Sequence, residues 1–238
     1  MKRVTALSLI ALLVALTSVS PVLAAEAEYG VGGGGPGIGL FLPDLTEINA
    51  FVSGAGFSPF DGNLFLIGGG GQGGLLPGPT YGGSGWGAWI ESRDGDLYAE
   101  YGLGLGGFEM GYALGGDENS LLSLGLTVGG GGAELILTEY PPIHPYSARP
   151  RGIVPEPTRF TYDSVFFFVA PYADARIQLL SWMGLVLRAG YVWAPIELNA
   201  SDDGPLEAPT LAPSGIYVQF SVIFGGIGKI GDAIEDDL

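Results

Sequence analysis

The chain has 238 residues, 9 Lys and Arg against 25 Asp and Glu, a formal net charge of -16 and no cysteine. So acidic a chain offers no basic patch for nucleic acid or anionic headgroups, and it must hold its fold without disulfides. Its 43 Gly beside 12 Phe, 11 Tyr and 4 Trp match neither an aromatic-poor disordered tail nor the strict triplets of collagen.

At the start, Lys2 and Arg3 precede an apolar run from Ala6 to Leu16 and a small-residue site at Val22-Leu23-Ala24. This is the pattern of a cleavable secretory signal over 1–24. A retained anchor needs about 20 apolar residues, and Thr17, Ser18, Ser20 and Pro21 interrupt the run first. Residues 25–238 are then expected to be one domain. Gly and polar residues break every later apolar stretch, so a membrane would be crossed by strands.

Alternation of apolar and polar residues, bounded by turn signals, predicts strands at 29–42, 63–76, 82–92, 96–115, 120–138, 160–179, 183–194 and 214–225. Between the first two, 43–57 reads as a short amphipathic helix. Asp44 is its candidate cap, Glu47 follows three residues later, and Leu45, Ile48, Ala50 and Phe51 supply helical spacing. It is expected to be a lid on a barrel rim, with a plug entering the lumen as the sharper alternative. Asp94-Gly95 reads as a type I′ hairpin.

In the fifth strand Leu122, Leu124, Leu126 and Val128 face one way and Ser123, Gly125, Thr127 and Gly129 the other. In the sixth, Val165, Phe167, Val169, Ala173, Ala175, Ile177 and Leu179 oppose Tyr172, Asp174, Arg176 and Gln178. Pro171 lacks a donor for the ladder and marks a bulge or a break. In the seventh, Leu185, Leu187, Ala189, Tyr191 and Trp193 share one face, with Gly184, Val186, Arg188, Gly190 and Val192 behind. The eighth sets Ile216, Val218, Phe220, Val222 and Phe224 against Tyr217, Gln219 and Ser221, and 226–238 follow as a tail.

Connections at 43–62, 139–159 and 195–213 are long, whereas 77–81, 116–119 and 180–182 are short. Long loops at one rim and short turns at the other resemble the small eight-stranded outer-membrane barrels of the OmpA and OmpX type. The resemblance lies in pattern and covers most of 25–238. It departs at the end, where that family closes on a terminal aromatic residue and here Phe224 is followed by further chain. It implies an all-β, antiparallel up-and-down barrel in the cell outer membrane, in contact with membrane lipid. The role it implies is structural or surface-interacting, with a narrow pore as the second function and a small solute or surface partner as ligand. A soluble, secreted lipocalin-like barrel binding a small apolar ligand is the competing class, because it too alternates by twos.

Inside such a barrel Glu100, Asp174, Arg176, Gln178, Arg188, Gln219 and Ser221 are expected to meet, with Asp174 opposite Arg188. A salt-bridge network filling a narrow lumen explains them; a selective pore or ligand cavity is the functional alternative. Glycine runs at 32–35, 68–71, 73–74, 106–107 and 129–132 lack the strand-to-helix turn and Lys of a phosphate loop. They predict either a smooth patch for the helix or a sparsely filled inward seam. His144, near Ser147, has no carboxylate at informative spacing, so no catalytic set, cofactor or His/Cys metal site is read. Asp94, Asp96 and the Asp202-Asp203 pair lack a calcium-loop pattern, and Asn199-Ala200-Ser201 fits a glycosylation sequon common by chance.

Overall fold

The computed structural model describes residues 28–141, 156–202 and 206–230, with the backbone alone at 199–202. The expected signal at 1–24, His144, Ser147, Asp203 and the end of the tail at 231–238 lie outside the described residues. The strands are β1 (Tyr29–Pro43), β2 (Leu64–Leu76), β3 (Gly78–Asp94), β4 (Leu97–Gly116) and β5 (Ser120–Glu139). They continue as β6 (Thr158–Leu180), β7 (Met183–Asp202), β8 (Gly215–Phe224) and β9 (Ile227–Lys229), with one helix, α1 (Thr46–Gly54), between β1 and β2.

Each strand from β1 to β8 pairs antiparallel with the next, and β1 pairs with both β2 and β8, which closes the sheet on itself. β9 lies along the edge of β1 that β8 occupies, Tyr29 opposite Lys229, so the ring has eight positions. Closure leaves no free sheet edge, the condition for holding backbone polar groups satisfied away from water. The expected tail thus begins as a strand, because Ile227–Lys229 supplies partners for the first residues of β1.

Local chemistry accounts for the departures from expectation. Helix α1 starts at Thr46 rather than at an Asp44 cap. Asp44 Oδ1 instead accepts hydrogen bonds from the Thr46 N–H (3.1 Å) and hydroxyl (2.6 Å). The β3–β4 loop is Gly95-Asp96, with Asp94 opposite Leu97. Only Gly95 has positive φ (57°), the pattern of a type II′ turn rather than the expected I′. β7 runs past Pro195 to Asp202, where a loop was expected from 195. Ala194 and Pro195 stand opposite Phe168 alone, a bulge that removes the need for a proline donor. Pro171 does not break β6; the ladder to β7 lapses between Val169 and Tyr172 instead.

The interior has three tiers. Beneath the long-loop rim lies an apolar cluster of Phe41, Leu64, Leu66, Tyr101, Leu135, Tyr162, Phe166 and neighbours. At the terminus rim Val31, Leu76, Ala113 and Leu121 form a second one. Polar side chains occupy the middle. Helix α1 closes the loop rim as a lid. Ile48 and Val52 are buried in the upper cluster, and the Phe51 ring meets Tyr162 edge-on at 5.1 Å. Asn49 clamps the following loop by donating to Phe60 O (3.0 Å) and accepting from Phe60 N (2.8 Å).

Outward positions of β1 and of β5 to β8 carry exposed Leu, Ile, Phe, Val and Trp. Ile177, Leu187 and Ile216 are each more than half exposed. The strand patterns that place Leu122, Ile177, Leu187 and Phe220 on the outer face are therefore those of an apolar outer wall, the arrangement of a membrane barrel.

Candidate functional site in the barrel lumen

The middle tier is built where inward positions of β2 to β8 carry polar side chains at one level. Arg188 on β7 is its centre. Its guanidinium donates to Glu109 Oε1 at 2.6 Å and to Asp174 Oδ2 at 2.9 Å, and it lies 3.8 Å over the Tyr172 ring. Both carboxylates are almost fully buried and each takes a second bond. Ser84 Oγ donates to Glu109 (2.6 Å) and Ser123 Oγ to Asp174 (2.6 Å). A lone buried charge costs several kcal/mol, on the order of the figure for an ion transferred into protein interior. One cation shared by two hydrogen-bonded carboxylates and a ring face offsets that cost. Gln72 Oε1 completes the set at 3.5 Å.

Of the residues expected in the lumen, Asp174 and Arg188 stand opposite each other on β6 and β7. Arg176, also buried, forms a second group nearer the terminus rim. It donates to Gln178 Oε1 (2.9 and 3.2 Å) and to Gly32 O (3.3 Å), while Gln178 Nε2 donates to Leu180 O (2.6 Å) and Gly225 O (2.8 Å). This group fastens β6 to the seam between β1 and the end of β8. Gln219, opposite Arg188 on β8, and Ser221 line the adjoining space.

Glu100 does not join them. Ala99 and Tyr101 on either side point into the upper cluster, so Glu100 shares the outer face of β4 with Tyr98, whose hydroxyl donates to it at 3.2 Å. Glu109 fills the role instead. Counting by twos from Tyr101 through Leu103 and Leu105 reaches Glu109 and never Glu100, so the parity of β4 carried the signal. Glu197 is another inward carboxylate beyond the expected set. It accepts from Ser164 Oγ and from the Leu211 N–H (3.3 Å) at the loop rim.

Two small cavities flank the Arg188–Glu109 pair, and Ser84, Trp86 and Gln219 border both. The one toward the loop rim holds about 30 Å³ and is otherwise walled by Phe41, Leu66 and Phe168. The one toward the terminus rim holds about 40 Å³ and is walled by Gln72, Arg176 and Ser221. Each has room for only a few waters, since about 10–15 Å³ of such space admits one. The pair therefore stands as a bar across the lumen, with apolar filling above it.

Glycine makes this filling fit. Gly125, Tyr172, Gly190 and Tyr217 stand in cross-strand register over β5, β6, β7 and β8. A side chain on either glycine would meet the neighbouring tyrosine ring. Trp86 likewise lies across Gly37 and Gly68. Within the expected glycine runs, Gly68 under Trp86 and Gly131 under Phe166 follow the same pattern, an inward seam covered at these positions by aromatic rings of adjacent strands rather than by the helix.

Fold and lumen together define a closed eight-stranded up-and-down barrel with a paired-charge interior and an apolar exterior. No family model and no curated protein matches the chain. Among solved structures it is similar to Ail, the attachment invasion locus protein of Yersinia pestis, crystallised with the heparin analogue sucrose octasulfate. The identity is 8%, over 83% of this chain and 98% of that one, with a TM-score of 0.44. It is also similar to the outer membrane protease OmpT from Escherichia coli, at 12% identity over 86% and 96% of the chains and a TM-score of 0.30. At these identities and scores neither structure assigns a role to any residue here.

Proposed function

We propose that the chain is an outer-membrane β-barrel with a structural or surface-interaction role and a lumen closed to solutes. The observation that carries this reading is the division of the wall. Inward-turned Glu109 and Asp174 are paired with Arg188 and inward-turned Arg176 is hydrogen-bonded to Gln178 and Gly32 O, while Leu, Ile, Phe and Val turned outward stay exposed, Ile177 and Leu187 by more than half. A soluble barrel would reverse that preference on its outer face. Stacked outward pairs, Tyr81 with Phe108 and Trp182 with Phe224, suit the interfacial aromatic girdle of such barrels. Cleavage of a signal near Ala24 belongs to the same proposal, because export precedes outer-membrane insertion.

The closed lumen favours a structural role over the narrow pore, and the filled upper tier leaves a lipocalin-like ligand no room. Long loops gathered at one rim supply the surface for a partner, and no enzymatic activity is proposed. Fractionation tests the placement. The mature chain should remain with outer membranes after carbonate washing and require detergent for release; recovery in a detergent-free soluble fraction overturns it.

A further inference from the structure

We propose that the segment 206–214, between β7 and β8, is a latched strap that opens as a unit, with Glu197 as its latch. Only Leu211 and Pro213 within 206–214 are buried, so the strap has few apolar anchors. Leu211, 1% exposed, drops into the upper cluster beside Tyr101 and α1. Both polar groups of its peptide are held by the wall. The N–H donates to Glu197 Oε1 (3.3 Å), and the carbonyl accepts from the Tyr101 hydroxyl (2.9 Å). Ser164 on β6 donates to the same Glu197 oxygen.

The strap's C-terminal end stays fixed, because Ser214 O accepts from Asp44 N (2.8 Å) and its hydroxyl from Ala194 N (3.2 Å). A strap pinned at 214, with Leu211 its one large buried apolar side chain beside Pro213 and the small Ala208 and Ala212, has the makings of a hinged unit of low local stability. The chemistry of the latch suits reversible opening. Lifting Leu211 costs two hydrogen bonds and one apolar contact set, while the freed Glu197 carboxylate gains water at the rim. Opening would expose the part of the upper tier that Leu211 covers beside Tyr101, and would leave α1 and the ring of strands in place. The inference concerns the lumen alone and stands apart from the membrane placement.

The chain has no native cysteine, so single-cysteine reporters read the motion directly in the full chain folded in detergent. Ala99→Cys lies inward in the upper cluster that Leu211 joins, and Ala113→Cys lies inward at the terminus rim. Leu211→Ser and Glu197→Ala should each raise maleimide labelling at Ala99→Cys by about tenfold, the effect of losing one hydrogen bond to a charged group or one buried apolar contact. Labelling at Ala113→Cys should not change. Equal labelling with and without these substitutions in folded barrel, or a parallel rise at both reporters, overturns the strap. A second measurement needs no weakened variant. In the Ala99→Cys chain alone, labelling should depend on urea far less steeply than global unfolding does, as local opening requires; identical slopes overturn the proposal.

Discussion

Glu109 and Arg188, 79 positions apart in sequence, meet at 2.6 Å inside the barrel and join β4 to β7 across the lumen. Adjacent strands are already joined by their ladders, so this pair adds a tie between strands that do not neighbour each other in the ring, while its Asp174 branch reinforces the neighbouring β6–β7 ladder.

Removing the cation should therefore cost more than removing a surface charge. Arg188→Ala leaves Glu109 and Asp174 buried without their partner, and the expected loss is about 3–5 kcal/mol. It would appear as a lower urea midpoint and a weakened heat-modifiability shift on gels; an unchanged shift would speak against the tie. Replacing Arg188, Glu109 and Asp174 together with apolar residues of similar volume should restore stability to near the native level, because the desolvation cost disappears with the charges.

The outer wall makes a separate prediction. Leu187 is 55% exposed on the outward face of β7. Leu187→Arg should destabilise the barrel folded into lipid vesicles by about 2–4 kcal/mol if the site sits near the bilayer midplane, and by less toward either interface. In a water-soluble barrel the same surface change would stay within about 0.5 kcal/mol. Equilibrium unfolding from vesicles separates the two outcomes.

Glycines divide by what covers them. A Cβ on Gly190 would lie 2.6 Å from Cζ and Oη of the Tyr217 ring, whereas one on Gly104 meets nothing within 4 Å. Tyr217 is buried under the same network, so its ring has nowhere to go. Gly190→Val should cost about 1–3 kcal/mol, the usual range for overpacking. Gly104→Ala should be neutral or stabilise by up to about 0.5–1 kcal/mol through the lost freedom of the unfolded chain. Paired urea titrations give both values.

How far such relationships show in sequence depends on whether a residue has a side chain to alternate. Leu122 to Val128 and Ile216 to Phe224 declare their faces, and with them the barrel, because lipid-type residues recur every second position. Counting from a hairpin that closes Leu179 on Met183 sets Asp174 opposite Arg188; the hairpin closes Leu180 on Met183 instead and reaches the same pairing through a bulge at Leu179. Glu109 was harder to see, since it sits among glycines that carry no parity of their own. Its face follows only from Tyr101, Leu103 and Leu105 further up the strand. The fit of Tyr172 and Tyr217 onto Gly125 and Gly190 crosses four strands, so it needs every register at once. Leu211 lies in a loop, where no period exists to mark a residue as buried.

Asp117, in the short turn between β4 and β5, gives the acid limb of stability. Its Oδ1 accepts from the Asn119 N–H (2.9 Å), the Ser120 N–H (2.8 Å) and the Ser120 hydroxyl (3.0 Å). These bonds, the Asn119 N–H foremost, hold its carboxyl below the ordinary value of 3.8. A depressed folded-state pKa means that the unfolded chain takes up the proton first. The contribution is thus fully present above 3.8 and is lost as pH falls through the lower, folded value. Asp117→Ala should flatten that part of the stability curve and leave the slope near neutral pH unchanged. Because the carboxyl is fully exposed, added salt should weaken the charge-dependent part of the effect. Urea midpoints measured from pH 2 to 6 for both chains check the sign: a wild-type curve that stays parallel to that of Asp117→Ala below 3.8 would remove Asp117 from the acid limb.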